Sequence, residues 1–137
     1  MIPEQPTAIR HAECSCGQLR VTVSGDPVRI SMCHCLACQR RTGSTFGVQA
    51  RYPESHVTVQ GSSQTYVRVG DSGGQMVAHF CPRCGSTVHF RVSGLPGFVV
   101  VPVGAFADPT FPPPRISIYE ARRHPWTGIP ADAEHFD

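Results

Sequence analysis

The sequence has no apolar run near the ~20 residues that a membrane-crossing helix requires, so no membrane partner is expected. Its first residues, Met1-Ile2-Pro3-Glu4-Gln5-Pro6, offer neither a basic flank nor an apolar stretch. A secretory leader is therefore not expected, and a reducing, cytoplasmic setting is. Nor is there a long basic block: the net charge is +2, and Arg40-Arg41 and Arg122-Arg123 are only pairs. A nucleic-acid partner is not expected on that pattern. Long amphipathic helices, internal repeats beyond the cysteine pairs, and a charged tail are also missing. Their absence steers the reading away from helical bundles, solenoids and tethered interaction modules.

What is present is cysteine. The chain has 137 residues, about one domain's worth, and its seven cysteines are an odd number that a disulfide framework handles badly. Two metal sites divide them naturally. Cys33, Cys35 and Cys38 form the centre of the sequence. On an extended segment, side chains at i and i+2 leave the same face, so Cys33 and Cys35 point together and His34 points away. Cys38 follows Cys35 at the C-x-x-C spacing that folds back onto one metal. Three thiolates reach one tetrahedral zinc and leave its fourth position open, the mark of a site that does chemistry.

Around the cysteines the pattern is β. Leu19, Val21 and Val23 alternate with polar residues, and residues 28–32 repeat the alternation into Cys33. One helical turn ended by Gly43 is expected after Cys38, then strands near 46–50, 57–59, 65–69, 75–80, 87–92 and 98–103. Asp71-Ser72-Gly73-Gly74 reads as a hairpin loop, and Pro102 as the end of its strand or a bulge. Residues 116–119 read as a last edge strand. The expected organisation is a loose arm over 1–12, one zinc-stabilised, mainly β domain of small antiparallel sheets over 13–126, and an irregular tail over 127–137.

Cys81-Pro82-Arg83-Cys84-Gly85 is a zinc knuckle, with Pro82 fixing φ after the first ligand and Gly85 free to turn the chain. It needs two further ligands. Cys14 and Cys16 are the natural pair, closing a structural zinc of four thiolates at about 2.3 Å. A mixed arrangement would draw one cysteine from the central triplet instead. For the triplet, the plainer alternative is a second closed site completed by His79, by His89 or by a neighbouring chain. Reactive cysteines without metal are a further alternative. His11 and Glu13 with Cys81 and Cys84 imitate the H-x-E plus P-C-x-x-C layout of zinc deaminases, but here the proline lies inside the knuckle and helices are lacking. An open zinc with three thiolates is a weak Lewis acid but takes a thiol readily and deprotonates it. Its chemistry points to a sulfur nucleophile and an electrophilic carbon, or the reverse cleavage. Arg40 and Arg41 would suit a substrate carboxylate, although Arg40 packing beside the metal loop and Arg41 in solvent is the plainer account.

Cys14-Ser15-Cys16-Gly17, Cys33-His34-Cys35-Leu36-Ala37-Cys38-Gln39-Arg40-Arg41-Thr42-Gly43 and Phe80-Cys81-Pro82-Arg83-Cys84-Gly85, with Gly104, Asp108-Pro109 and Trp126, resemble the glutathione-dependent formaldehyde-activating enzyme family, which includes centromere protein V. The resemblance implies a tent-like arrangement of β-sheets. It implies two zinc ions, one structural at Cys14, Cys16, Cys81 and Cys84 and one catalytic, open to partial occupancy, at Cys33, Cys35 and Cys38. It also implies a carbon–sulfur lyase that condenses formaldehyde with glutathione, so the expected partners are a small thiol such as glutathione and a small aldehyde. The other expectation is a non-catalytic, zinc-stabilised binding module.

Overall fold

In the computed structural model, residues 7–70 and 73–137 are described. Alternation of apolar and polar residues produces most of the strands. In β2 (Arg20–Ser24), Val21 and Val23 are fully buried while Arg20 is exposed. It is flanked by β1 (Ile9–Glu13) and β5 (Val57–Gln60), both antiparallel to it, in a three-stranded sheet.

The second sheet is larger. It uses β3 (Arg29–Cys33), β4 (Gly47–Pro53), β6 (Gln64–Val69), β7 (Gln75–Phe80), β8 (Thr87–Val92), β9 (Phe98–Pro102), β10 (Ile116–Ile118) and β11 (Glu134–His135). Among the described residues its order is β11-β10-β3-β4-β9-β8-β7-β6. Pro102 ends β9, where its missing N–H costs no central ladder bond. The expected helical turn is α1 (Leu36–Thr42), and Gly43 closes it at φ 70°. The chain is thus mainly β with one short helix, as the alternation indicates. No described helix is long and apolar enough to cross a membrane.

Leu19, just before β2, and Val21 and Val23 within it meet Ile30, Ala50, Tyr52, Val88, Val101 and Phe106 in one core. Each such buried aliphatic side chain contributes about 1.5–3 kcal/mol. Cys14 and Cys81 belong to the same cluster, so the four-cysteine group grows out of the core.

Three expectations need correction. Residues 9–12 are not a loose arm: Ile9 to Glu13 pair residue by residue with Ser24 to Arg20, which satisfies their backbone groups, while residues 1–6 lie outside the described residues. The stretch 127–137 is not wholly irregular, because Thr127 and Ala133 are buried and β11 joins the sheet. Backbone bonds from Glu134 to Arg115 (3.0 Å) and from Phe136 to Ser117 (2.9 Å) hold it there. That makes β11 the edge and puts β10 inside, parallel to both β3 and β11, where a last edge strand was expected. The hairpin joins β6 to β7 through Gly70 and Gly73, and Asp71 and Ser72 lie outside the described residues.

Candidate metal centres

Two short turns build the first centre. One follows β1, where Gly17 donates to the Cys14 carbonyl at 3.0 Å and takes φ 81°. The other follows β7, where Gly85 donates to the Cys81 carbonyl at 2.8 Å and takes φ 82°. Ser15 and Ser86 hydroxyls, 3.1 Å apart, tie the turns together. The sulfurs of Cys14, Cys16, Cys81 and Cys84 all lie within 4.8 Å of one another. Cys14–Cys16 and Cys16–Cys81 are each 3.6 Å apart. A tetrahedral zinc with bonds of about 2.3 Å needs sulfurs about 3.8 Å apart, so the four residues fit the ion.

Donors already face these sulfurs. Leu19 N–H donates to Cys14 Sγ at 3.3 Å and Arg83 N–H to Cys81 Sγ at 3.3 Å. Gln18 Nε2 lies 3.0 Å from Cys81 Sγ and also donates to the Ser62 carbonyl at 2.7 Å. The Ser86 and Cys16 backbone N–H groups hold the Cys84 thiol down to about 5.

The second centre occupies the joint between β3 and α1. Cys33 ends the strand, and Cys35 caps the helix in extended conformation, its sulfur accepting from Cys38 N–H at 3.3 Å. Cys38 then sits in the first turn of α1 and is buried. The three sulfurs lie within 4.8 Å of one another, and among the described residues no histidine, aspartate, glutamate or further cysteine joins them. Hydrogen bonds from the Cys33 and Cys38 thiols pull Cys35 down to about 2, and the bond to Cys35 pushes Cys33 up. Three soft donors at these separations suit zinc with one position left over.

His34 turns away from the sulfurs into a fully buried niche, where Nε2 lies 3.0 Å from Ser117 Oγ on β10. Burial pushes its pKa down, partly opposed by Glu120. His79 and His89 do not complete the triplet. Their rings stack on each other at 4.3 Å, and His79 Nδ1 meets Ser63 Oγ at 3.0 Å. His11 and Glu13, the deaminase lookalike, engage Thr22 at 3.1 Å and Arg20 at 3.5 Å on the exposed side of the small sheet.

Beside the triplet lies a cleft of about 470 Å³, bounded by Ala37, Cys38, Arg40 and Arg41 on one wall and Tyr66, Arg68, Met76 and Phe80 on the other. Arg40 is the exposed one of the central pair. Arg41 is half-buried, its guanidinium 5.1 Å from the Phe90 centroid, so the account that left it simply in solvent is corrected. On the other flank of α1, Gln39 Nε2 donates to the His34 carbonyl at 2.9 Å and the Arg122 carbonyl at 3.2 Å, and its Oε1 meets His124 at 2.9 Å. Gln18, Gln39, Arg68 and Ser117 were not visible as site residues in the sequence. Only proximity to a cysteine marks the first two, and nothing local marks the others.

A family model described as glutathione-dependent formaldehyde-activating enzyme matches residues 9–122, from β1 past β10. A crystal structure of a Rhodobacter sphaeroides protein, a structural genomics target, is similar with a TM-score of 0.55 and 22% identity, over 75% of this chain and 91% of that one. At that identity the likeness speaks for the fold. No curated protein matches.

Proposed function

The chain belongs to the glutathione-dependent formaldehyde-activating enzyme family, and from that premise we propose a zinc-dependent carbon–sulfur lyase or synthase acting on a small thiol adduct. The reaction in the synthetic direction joins a thiol sulfur to the carbon of a small aldehyde such as formaldehyde. The carbonyl π electrons move to oxygen, and the thiol proton ends there. Glutathione is the thiol that the family's name supports, giving S-(hydroxymethyl)glutathione. Cleavage runs the same steps backwards.

The observation that carries the reading is the incomplete donor set. Cys33, Cys35 and Cys38 converge without a fourth protein donor among the described residues, beside an open cleft. A zinc ion held there would supply the charge that keeps a substrate sulfur deprotonated while three thiolates leave it nucleophilic. The chain's own residues do the positioning. Cys38 N–H fixes Cys35, and the His34 N–H bond to the Ile118 carbonyl (3.1 Å) pins the loop between two of the cysteines to β10. Phe80, Met76 and Tyr66 give the cleft an apolar wall that limits water near a thiolate. Cys14, Cys16, Cys81 and Cys84 take the structural role, joining turns from distant parts of the chain.

Metal analysis should return two ions per chain, one removed readily by a chelator. Cobalt substituted for zinc gives thiolate charge-transfer bands, and titration with glutathione should shift them. A spectrum unchanged at millimolar glutathione would refute glutathione as the thiol. With no turnover of any thiol–aldehyde pair, the binding-module reading would take its place.

A further inference from the structure

Arg41 has no carboxylate partner among the described residues. It lies in the last turn of α1, and its Nε and Nη2 are shielded from solvent without a hydrogen-bond partner. Gly47 on β4 makes the room for it: a Cβ there would stand 3.0 Å from Nη2 and 3.6 Å from the Cys38 Cβ. Phe90 backs the guanidinium from below. The described ion pairs are Arg10–Asp26, Arg20–Glu13, Arg91–Glu54 and His135–Glu120, none of which involves a cleft residue. Among the described residues no aspartate or glutamate lines the cleft, whereas Arg40, Arg41 and Arg68 all do.

Guanidinium N–H groups taken out of water without a hydrogen-bond partner are costly, and an anion with forked geometry offsets that cost best. The sulfur cluster is one source of negative charge, since Cys38 shares the cleft with Arg41. A cluster of cysteine sulfurs, however, does not match the planar fork of five donors that arginine presents. Arg68 approaches from β6 on the opposite wall, and its charge also favours the Cys35 thiolate. Three cations around one opening, with Tyr66 and Phe80 on one wall, fit a small molecule that brings its own carboxylate.

We propose that Arg41, assisted by Arg68 and Arg40, is a carboxylate-binding subsite that makes this centre select thiols bearing a negative charge. The proposal rests on the thiol-adduct reading above and adds to it which thiols are preferred and which residue discriminates. Arg41 acts by gripping the substrate at a distance from the sulfur, so the neutral form of the same thiol loses the grip but keeps the sulfur contact.

The test compares 3-mercaptopropionate with 3-mercaptopropionamide, which differ only in that charge, by titrating each into the cobalt-substituted full chain. Charge-assisted hydrogen bonds predict a preference for the carboxylate of about tenfold or more. In R41Q the ratio of the two affinities should fall toward one, and in R68Q it should fall partway. In parallel, glutarate, an anion without sulfur, is titrated into the zinc protein while the Arg41 Nε–Hε resonance is followed by NMR. A shift that saturates is expected. Equal affinity for the two thiols in the unaltered protein would overturn the subsite and leave the thiol chemistry standing. Equal weakening of both thiols in R41Q would also overturn it, because the arginine would then serve only to balance the cysteine charge. If neither thiol binds but glutarate still shifts the Arg41 resonance, the subsite stands and the thiol-adduct reading falls. If R41Q does not fold, R68Q and the comparison in the unaltered protein decide.

Discussion

Removing one sulfur from each cluster should have opposite consequences, and the sizes follow from which parts of the chain each cluster joins. The first cluster bridges residues 65 apart, Cys16 and Cys81, whose sulfurs already sit at 3.6 Å. A cross-link over such a span is worth roughly 4 kcal/mol on the chain-entropy scale used for disulfides. Structural zinc adds about 10–16 kcal/mol of apparent binding energy, which compares with a whole domain's stability of about 5–15 kcal/mol. Cys84→Ala should therefore cost the fold. The triplet closes only the short stretch from Cys33 to Cys38, a constraint of roughly 2 kcal/mol on the same scale. Cys35 also caps α1 through the bond from Cys38 N–H, and alanine there costs about 1 kcal/mol. Cys35→Ala should lower the melting temperature by roughly 10 °C, keep the fold, bind one metal instead of two and lose activity. Circular dichroism melts with metal analysis on both variants provide the measurement. Equal unfolding by the two substitutions would refute the division into a structural and a working centre.

Gly61→Ala should be strongly destabilising, because Gly61 has φ 97° and a Cβ would stand 1.9 Å from the Gln18 carbonyl oxygen. Chemical denaturation checks this, together with weaker retention of the first metal, since Gln18 reaches both Ser62 and Cys81. His89 has its pKa held down to about 4 by burial, with His79 and Arg91 adding to the effect. The unfolded chain then binds the proton more tightly, so His89's contribution is complete above its ordinary 6.5 and is lost as pH falls from there toward 4. A His89→Phe variant should show a flatter stability curve across that window in denaturant titrations at several pH values. Gln39→Leu removes the bonds to His34, Arg122 and His124. It should cost about 1–3 kcal/mol and weaken metal retention at the triplet more than at the first centre, read by timed chelation.

Spacing made the two cysteine groups legible because ligands close in sequence need little help from the fold to converge. Strands with clean alternation, such as β2 and β8, were legible for the same local reason. Other elements owe their form to partners elsewhere. The stretch from Ile9 to Glu13 buries only Ala12 fully and has little pattern of its own, and β2 makes it a strand. β10 carries a serine at its centre, which reads as an edge. Ser117 is nevertheless fully buried, because His34 supplies its partner and β11 covers the outer side. Arg41 looked like solvent-facing charge for a comparable reason: its surroundings, Phe90 and Gly47, come from β8 and β4.

The same short helix explains why sulfur and cation arrive together. Cys38 and Arg41 are three residues apart on α1, close to one turn, so both project toward one side. Gly47 lies opposite Cys33 in the β3–β4 register, and it leaves the space that Arg41's guanidinium fills. A side chain at 47 would therefore disturb the cation before it disturbed the sulfurs, since Nη2 is nearer than the Cys38 Cβ. Gly47→Ala is accordingly expected to change which thiols bind while the triplet still takes up its metal. Loss of the metal itself in that variant would mean that the helix, not the arginine, had moved. Charge selection and metal capture would thus be two separable consequences of one turn of helix packed against one glycine.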